Sequence, residues 1–372
     1  FINYICLNIF MKQFLLLFIF GISFSQNQSD AYYIDVQGFR GNNFKHTQEV
    51  SHLATGHPDG FLIGINKKSL GKKEWQHVYD YPDYGISFQT IDFKNKYLGK
   101  NYAIGLHYNF YFLKRHLLFR VSQGIGFTTN PYDKETNNKN NAFGSKILDN
   151  NYFLLQYQKQ NLLGPIGLQT GFMFTHFSNA RFKAPNSGIN SYAFTLGLNY
   201  NFNKNATIIK DSLPNSKSFA EKIKYNFAFR TGISEAPVVG IGQRQFYHIG
   251  LYADKRLNRK SALQLGTDVF FSRYLKDYIQ FSAVAFPNRE PVDPNTDYKR
   301  IGVFVGHELF INKLSIETQF GYYVYKPFKY DIDIYQRFVL KYYINKNIFT
   351  GIGLKTHKAK AEAAELTLGI RL

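Results

Sequence analysis

The sequence predicts an all-β protein, a transmembrane antiparallel β-barrel of about 16 strands, and three observations indicate this fold. The 372 residues include 28 tyrosines and 37 phenylalanines, and aromatic side chains favour strands. From Ala31 onwards, segments of about ten residues alternate between apolar and polar side chains, which is the pattern of outer-membrane barrels. Beyond residue 22 no apolar run approaches the roughly 18 residues of a spanning helix. If the chain crosses a membrane, it must therefore do so with strands.

The individual strands are predicted from this alternation and from the connections between them. Residues 113–115 and 312–313 indicate tight turns, whereas residues 130–144 and 275–296 indicate long polar loops. Short and long connections mostly alternate, as periplasmic turns and extracellular loops do, and residues 67–81 fit this alternation least well. We expect strands to start near Ala31, His57, Asp83, Lys100, Arg115, Asp149, Pro165, Gly188, Ile223, Arg244, Lys260, Tyr298, Lys313, Asp333, Asn347 and Ala363.

The start of the chain predicts a secretory signal peptide at residues 11–25. Met11 and Lys12 give a charged beginning, residues 14–22 form a short apolar core, and Ser25 ends a stretch of small residues. Because the apolar run is too short to span a membrane, we expect cleavage after Ser25 rather than anchoring.

Residues 204–222 divide the remaining chain into two halves. They contain Pro214 among lysines, asparagines and serines, and we expect them to form a linker on the periplasmic side. The first half, residues 31–203, carries the candidate active site, and the second half is residues 223–372. With about eight strands in each half, the strands close either as one barrel of about 16, which we favour, or as two eight-stranded barrels in tandem.

Composition narrows the classes of partner and of chemistry. A formal net charge of +19 favours an anionic partner, such as nucleic acid, an anionic membrane surface or lipopolysaccharide. No glycine-rich phosphate loop or nucleic-acid motif occurs, so we expect no nucleic acid. The single cysteine, Cys6, precedes the predicted signal peptide, which excludes disulfides and cysteine nucleophiles from the mature chain. The histidines lack partners at metal-ligand spacing, so we expect neither a metal nor a cofactor.

A histidine and a serine stand together at the end of one predicted strand. Phe172 and Phe174 lie on the apolar face of that strand, and side chains two residues apart point the same way. His176 and Ser178 therefore continue this face. A base beside a hydroxyl is the pair that activates a serine nucleophile, so we predict an esterase site. The alternative is that both residues are ordinary interfacial side chains above an apolar strand.

The residues around this pair resemble a motif of a known family. The chain has HFSN at residues 176–179, PN at residues 185–186 and GI at residues 188–189. This sequence is similar to that of the PagL-type lipid A 3-O-deacylases, which are often labelled acyloxyacyl hydrolases in their longer relatives. The resemblance covers roughly residues 31–202. It implies a serine esterase in the outer membrane of a Gram-negative, Bacteroidota-like bacterium.

The resemblance also implies the roles of individual residues. Ser178 is the nucleophile and His176 is its general base. Where the family has a glutamate that orients the histidine, this chain has Asn190. The alternation along its predicted strand places Asn190 on the lipid-facing side, as it does His176. An asparagine can fix the imidazole tautomer but cannot stabilise imidazolium by charge. Glu362, just before the last predicted strand, is a remote alternative source of the missing carboxylate.

Three residues after the serine are candidates for substrate contacts. The backbone N–H groups that follow Ser178, with the side-chain amide of Asn179, are expected to form an oxyanion hole. Arg181 and Lys183 are expected to meet the phosphates of lipid A. For these two cations, the alternative is an ordinary solvated loop.

The predicted function is hydrolysis of an acyl ester of lipid A by a Ser-His dyad or triad. The expected partners are lipid A or lipopolysaccharide and the outer membrane, with the acyl position and the oligomeric state left open. The alternative is a non-enzymatic pore or structural barrel of the outer membrane that kept the motif without activity.

Overall fold

The computed structural model describes residues 30–203, 205–210, 219, 221–288, 291–358 and 360–372. The predicted signal peptide at residues 11–25 lies outside this part of the chain, and so does most of the predicted linker at residues 204–222. Both remain predictions.

The first half forms a closed barrel of eight antiparallel strands. The strands are β1 Tyr32–Phe44, β2 Asp59–Lys67, β3 Asp83–Asp92, β4 Lys100–Phe112, β5 Leu117–Thr128, β6 Ile147–Leu163, β7 Ile166–Ser178 and β8 Ile189–Asn201. Each strand pairs with the next along the chain, and β8 pairs back onto β1 from Tyr33–Asn201 to Phe44–Asn190. The predicted strand positions in this half are confirmed.

The second half forms another closed barrel of eight antiparallel strands. The strands are β9 Lys224–Glu235, β10 Gln243–Arg256, β11 Ser261–Ser272, β12 Arg300–Ile311, β13 Leu314–Tyr325, β14 Ile334–Tyr343, β15 Ile348–His357 and β16 Lys360–Arg371. Here β16 closes the sheet by pairing with β9. The predicted strand positions are confirmed in this half as well.

The expectation of a single barrel of about 16 strands is wrong, and the tandem alternative is correct. Both arrangements satisfy the same alternation of apolar and polar residues along each strand, so that pattern does not distinguish them. They differ only in the partner of four strands, β1, β8, β9 and β16. Once β8 has bonded to β1 and β16 to β9, neither sheet keeps an open edge.

Two α-helices interrupt the strand pattern among the described residues, besides a short 3-10 helix at Gln48–Val50. Helix α1 (Glu74–Val78) lies in the β2–β3 connection, which explains why that connection is too long for a tight turn. Helix α2 (Tyr274–Ala285) occupies part of the stretch that was expected to be a polar loop, residues 275–296. It buries Leu275 and Ile279 on one face. No helix in the described part of the chain is long and apolar enough to cross a membrane.

The interiors of the two barrels differ in charge. In the first barrel, Arg120 and Asp35 form a fully buried ion pair at 2.6 Å. In the second, the Arg337 guanidinium donates to Asp268 and to Glu365 at 2.7 Å each. Further buried charged residues in the second barrel are Arg230, Arg300, Glu308, Glu317, Lys341, Lys355 and Glu362. The inward-facing side of each barrel is therefore polar, and side chains fill the narrow interior that eight strands enclose.

The barrels contact each other at both ends. At the end from which the chain leaves β8, the Tyr79 hydroxyl donates to the Phe310 carbonyl at 2.6 Å, and Arg259 pairs with Glu74. At the opposite end, which we call the distal rim, the loop after β7 meets the end of β9. The two barrels consequently point the same way.

Candidate active site

His176 and Asn190 form a hydrogen-bonded pair on the outer face of the first barrel, at its distal rim. They are directly paired residues of the neighbouring strands β7 and β8. The imidazole Nδ1 and the amide Oδ1 are 2.5 Å apart. Because a carboxamide oxygen can only accept, Nδ1 carries the proton and Nε2 is the basic nitrogen. The outward direction is clear from residues on the same face, since Phe172 is 68% and Tyr192 is 50% exposed.

Ser178 ends β7 and faces His176 across Gly188. A Cβ at position 188 would lie 3.0 Å from His176 Cε1 and 3.2 Å from Ser178 Cβ, so a larger residue would require one of these side chains to shift by a few tenths of an ångström. Gly188 also has φ +65°, a left-handed conformation that glycine adopts readily. Among the described residues, the Ser178 hydroxyl makes no hydrogen bond to the imidazole. In free enzymes this bond is often loose and tightens when substrate binds.

A carboxylate lies on the strand opposite Ser178. Asp149 of β6 is the register partner of Ser178, and Asn151 is the partner of His176. The Asp149 carboxylate accepts hydrogen bonds from Asn151 and from Gln123 of β5. Asp149 is not among the residues that the sequence predicts for the site. The sequence did carry one signal for it, because this acidic residue interrupts the apolar positions of β6 that face outward.

The donors of Asn179 are engaged inside the loop that follows β7. The backbone N–H of Asn179 donates to Asn186 Oδ1 at 2.6 Å, and its side-chain amide donates to the Lys183 carbonyl at 2.6 Å. The side-chain oxygen of Asn179 is buried and has no hydrogen-bond partner within the described part of the chain. For either donor to meet an oxyanion, one of these bonds has to open.

Arg181 points towards the second barrel. Its Nε donates to the Glu235 carbonyl at 3.0 Å, and its guanidinium lies 5.2 Å from the centre of the Tyr274 ring. It also contacts the hydroxyl of Tyr330, whose pKa burial raises to about 12, so this hydroxyl is neutral. Lys183, by contrast, is exposed at the distal rim.

Glu362 lies inside the second barrel. Its carboxylate accepts from the Tyr274 hydroxyl at 2.9 Å and pairs with Lys355 and Arg300. Of the two candidates for orienting His176, the structure brings Asn190 to the imidazole, and Glu362 has its hydrogen bonds within its own barrel.

One group of described residues has the composition of a metal site. Ligand atoms of Asp331, His357 and Glu362 lie within 4.8 Å of one another. The cationic side chains of Arg300 and Lys355 contact the same Glu362 carboxylate. They already supply the positive charge that a metal ion would bring.

The fold is that of a β-barrel protein, and two family models that match the chain give its class as an ester hydrolase. The model described as Lipid A 3-O-deacylase (PagL) matches residues 59–199. The model described as Acyloxyacyl hydrolase, C-terminal domain, matches residues 223–372. Between them they match most of both barrels, and the chain belongs to the family of PagL-type lipid A 3-O-deacylases. The family resemblance that the HFSN motif indicates is thereby confirmed.

Comparison with solved structures finds outer-membrane proteins at very low similarity. The outer membrane protein Omp33 of Acinetobacter baumannii is 10% identical, with 92% of this chain and 98% of that chain covered and a TM-score of 0.18. A mutant porin of Rh. blastica is 8% identical, with 92% and 99% covered and a TM-score of 0.19. Scores this low carry no argument. No curated protein matches the sequence.

Proposed function

We propose that the protein hydrolyses an acyl ester of lipid A in the outer membrane, with Ser178 as nucleophile and His176 as general base. The observation that carries the proposal is the 2.5 Å bond between His176 Nδ1 and Asn190 Oδ1. It leaves the basic Nε2 for the neighbouring serine, at the rim of a face whose lower part is apolar. Membership of a family of lipid A 3-O-deacylases supports the substrate class.

The reaction follows from this arrangement. His176 Nε2 takes the proton of the Ser178 hydroxyl while Oγ attacks the ester carbonyl. The imidazolium returns that proton to the departing alkoxide of the sugar, which leaves an acyl-serine. Water then attacks the acyl-serine with the same base, releasing the fatty acid and restoring the hydroxyl. Asn190 holds the tautomer throughout but adds no charge, so the imidazolium is less stabilised than beside a carboxylate.

The apolar outer surface supports a lipid substrate. Phe172, Phe194 and Leu196 are exposed on the strands below the pair and would face the acyl chains of the membrane. An acyl ester anchored in the outer leaflet then lies level with the distal rim. Lys183 at that rim is suited to a lipid A phosphate. An oxyanion contact from Asn179, worth about 3 kcal/mol in comparable enzymes, requires the loop to exchange a hydrogen bond.

A water-filled pore is the weaker alternative. Each barrel has eight strands, which enclose a space that side chains fill. Arg120 in the first barrel and Arg337 in the second are fully buried in that space. This packing favours a function on the outer surface over conduction through the interior.

Mass spectrometry of lipid A tests the proposal. The protein, its Ser178→Ala variant and an empty vector are compared in the same lipopolysaccharide-producing strain. We expect the wild-type protein alone to remove one acyl chain. Ser187→Ala is the matched control, because this serine lies in the same loop but its hydroxyl contacts Glu49. Identical lipid A in all strains would contradict the enzyme and favour a structural barrel.

A further inference from the structure

The loop that follows the nucleophile is held from two sides. We call residues 179–188 the site loop. Its last residues bond to the first barrel, where the Ser187 and Gly188 N–H groups donate to the carbonyls of Asn141 and Ala142 at 3.0 and 3.2 Å. Its middle residues bond to the second barrel instead. The barrel that lacks the serine thus shapes the loop that begins beside it.

Glu235, the last residue of β9, makes most of the second set of contacts. Its N–H donates to the Arg181 carbonyl at 3.2 Å, and its carbonyl accepts from Arg181 Nε at 3.0 Å. Its carboxylate Oε2 accepts from the Ala184 N–H at 2.7 Å, while Oε1 accepts from the Gly242 N–H at 3.0 Å. Glu235 is only 4% exposed. One buried carboxylate therefore joins the site loop to the first turn of its own barrel.

Neighbouring residues of the second barrel extend this contact. The Gln243 side-chain amide donates to the Phe182 carbonyl at 2.8 Å. The Arg181 guanidinium lies 5.2 Å and 5.9 Å from the ring centres of Tyr274 and Tyr330. Cations are attracted to aromatic faces at such distances.

The held part of the loop is strained. Ala180 and Arg181 have φ values of +50° and +63°, which residues with a Cβ adopt rarely. Such a conformation persists when surrounding contacts determine it. The contacts at Arg181 and Ala184 come from Glu235, and Asn179 immediately precedes the strained pair. Loss of the Glu235 carboxylate would release the Ala184 N–H and allow the loop to relax next to Ser178.

We propose that the second barrel is the positioning part of the enzyme, with Glu235 as a positioning residue that fixes the site loop beside Ser178. This rests on the proposed function, since only an active site shows a kinetic effect. Relaxation of the loop moves Asn179 and Ser178 relative to His176. A misplacement of about 1 Å costs up to roughly 100-fold in rate. We expect the change in kcat rather than in KM, because the apolar surface that holds the acyl chains is unchanged.

The test compares Glu235→Ala and Glu235→Gln in the full chain, with purified lipid A in detergent micelles. We expect kcat to fall about 10–100-fold in Glu235→Ala with KM within about twofold. Glu235→Gln keeps one acceptor oxygen and should recover part of the loss. The matched control is Glu74→Gln, which removes an ion pair between the barrels at the opposite end and should leave kcat unchanged.

Two further variants keep the outcomes distinct. Arg181→Ala removes a different bond between the same two segments, the one from the Arg181 side chain to the Glu235 carbonyl, and it serves if Glu235→Ala fails to fold by heat-dependent gel mobility. Ser178→Ala tests the proposed function: if it remains active, that function fails, and the positioning role fails with it because Ser178 is then not the nucleophile. An inactive Ser178→Ala together with wild-type kcat in folded Glu235→Ala and Arg181→Ala would overturn the positioning role. An equal decrease of kcat in Glu235→Ala and Glu74→Gln would also overturn the positioning role.

Discussion

The tautomer of His176 is set by one neutral neighbour, Asn190. Its amide oxygen fixes the proton on Nδ1 at a 2.5 Å separation, but it leaves the imidazolium of the transition state without a balancing charge. A carboxylate in the same place would supply both effects.

Asn190→Asp is therefore expected to raise kcat by about tenfold or more. The side chain keeps the shape of asparagine, so the geometry at Nδ1 is preserved while a negative charge is added. Asn190→Leu should instead lower kcat, because neither tautomer nor ring orientation is fixed. Steady-state hydrolysis of lipid A measures both changes, and a decrease in the aspartate variant would contradict this account of the asparagine.

Gly188→Ala is expected to abolish most activity. The new Cβ would lie 3.0 Å from the His176 ring and 3.2 Å from Ser178 Cβ, which forces the two groups apart. Gly164→Ala is the matched control, since Gly164 has φ +63° but nothing within 4 Å of a Cβ. Both variants should lose roughly 1 kcal/mol of unfolding free energy from the backbone. Only Gly188→Ala should lose activity, and equal kinetics in the two would show that the contact is unimportant.

At the level of strands, β6, β7 and β8 together build the polar patch at the distal rim. Register places Asp149 opposite Ser178 and Asn190 opposite His176, so three neighbouring strands each contribute a side chain to the same outward face. In the proposed membrane placement a rim position permits this, because polar groups at the rim of an outer-membrane barrel meet water and headgroups rather than acyl chains.

Asp149→Asn is expected to lower kcat about tenfold, because it removes the carboxylate on the strand beside the nucleophile while keeping its shape. Negative charge near the site favours the imidazolium that forms during attack. Asp92→Asn, at the same rim on β3, should have no effect on rate. The kcat of lipid A hydrolysis is measured for both variants at the same pH. An unchanged kcat in Asp149→Asn would show that this carboxylate has only a structural role.

At the scale of the whole molecule, two self-closed sheets are joined by contacts at both ends. In each barrel the first and last strands pair with each other, so neither barrel depends on the other for closure. The contact at the distal rim links this architecture to the site, because Glu235 reaches the site loop.

Residues 31–203 expressed alone are expected to fold into a barrel yet hydrolyse lipid A about 10–100-fold more slowly than the full chain. Heat-dependent gel mobility checks folding, and lipid A mass spectrometry checks activity. Full activity in the isolated first barrel would show that the second barrel does not assist the site. Failure to fold would show that closure needs the second barrel.

Local periodicity was sufficient to predict the strands and the outward direction of the site. His176 and Asn190 share the parity of Phe174 and Tyr192, and the side chains of a strand alternate whatever its neighbours are. Asp149 has the same parity, and consecutive strands are expected to pair. The register that sets it opposite Ser178 includes an irregularity between Lys159 and Leu163, which the alternation does not predict.

The sequence by itself determined sixteen alternating strands, the motif at residues 176–179 and the family they belong to. Only the tertiary structure decided that the strands close as two barrels, and that the Arg181 side chain donates to the Glu235 carbonyl of the second barrel. The physical reason is that side-chain alternation is a property of neighbouring residues. Closure and the contact between barrels depend instead on hydrogen bonds between residues far apart in the chain, which no local pattern records.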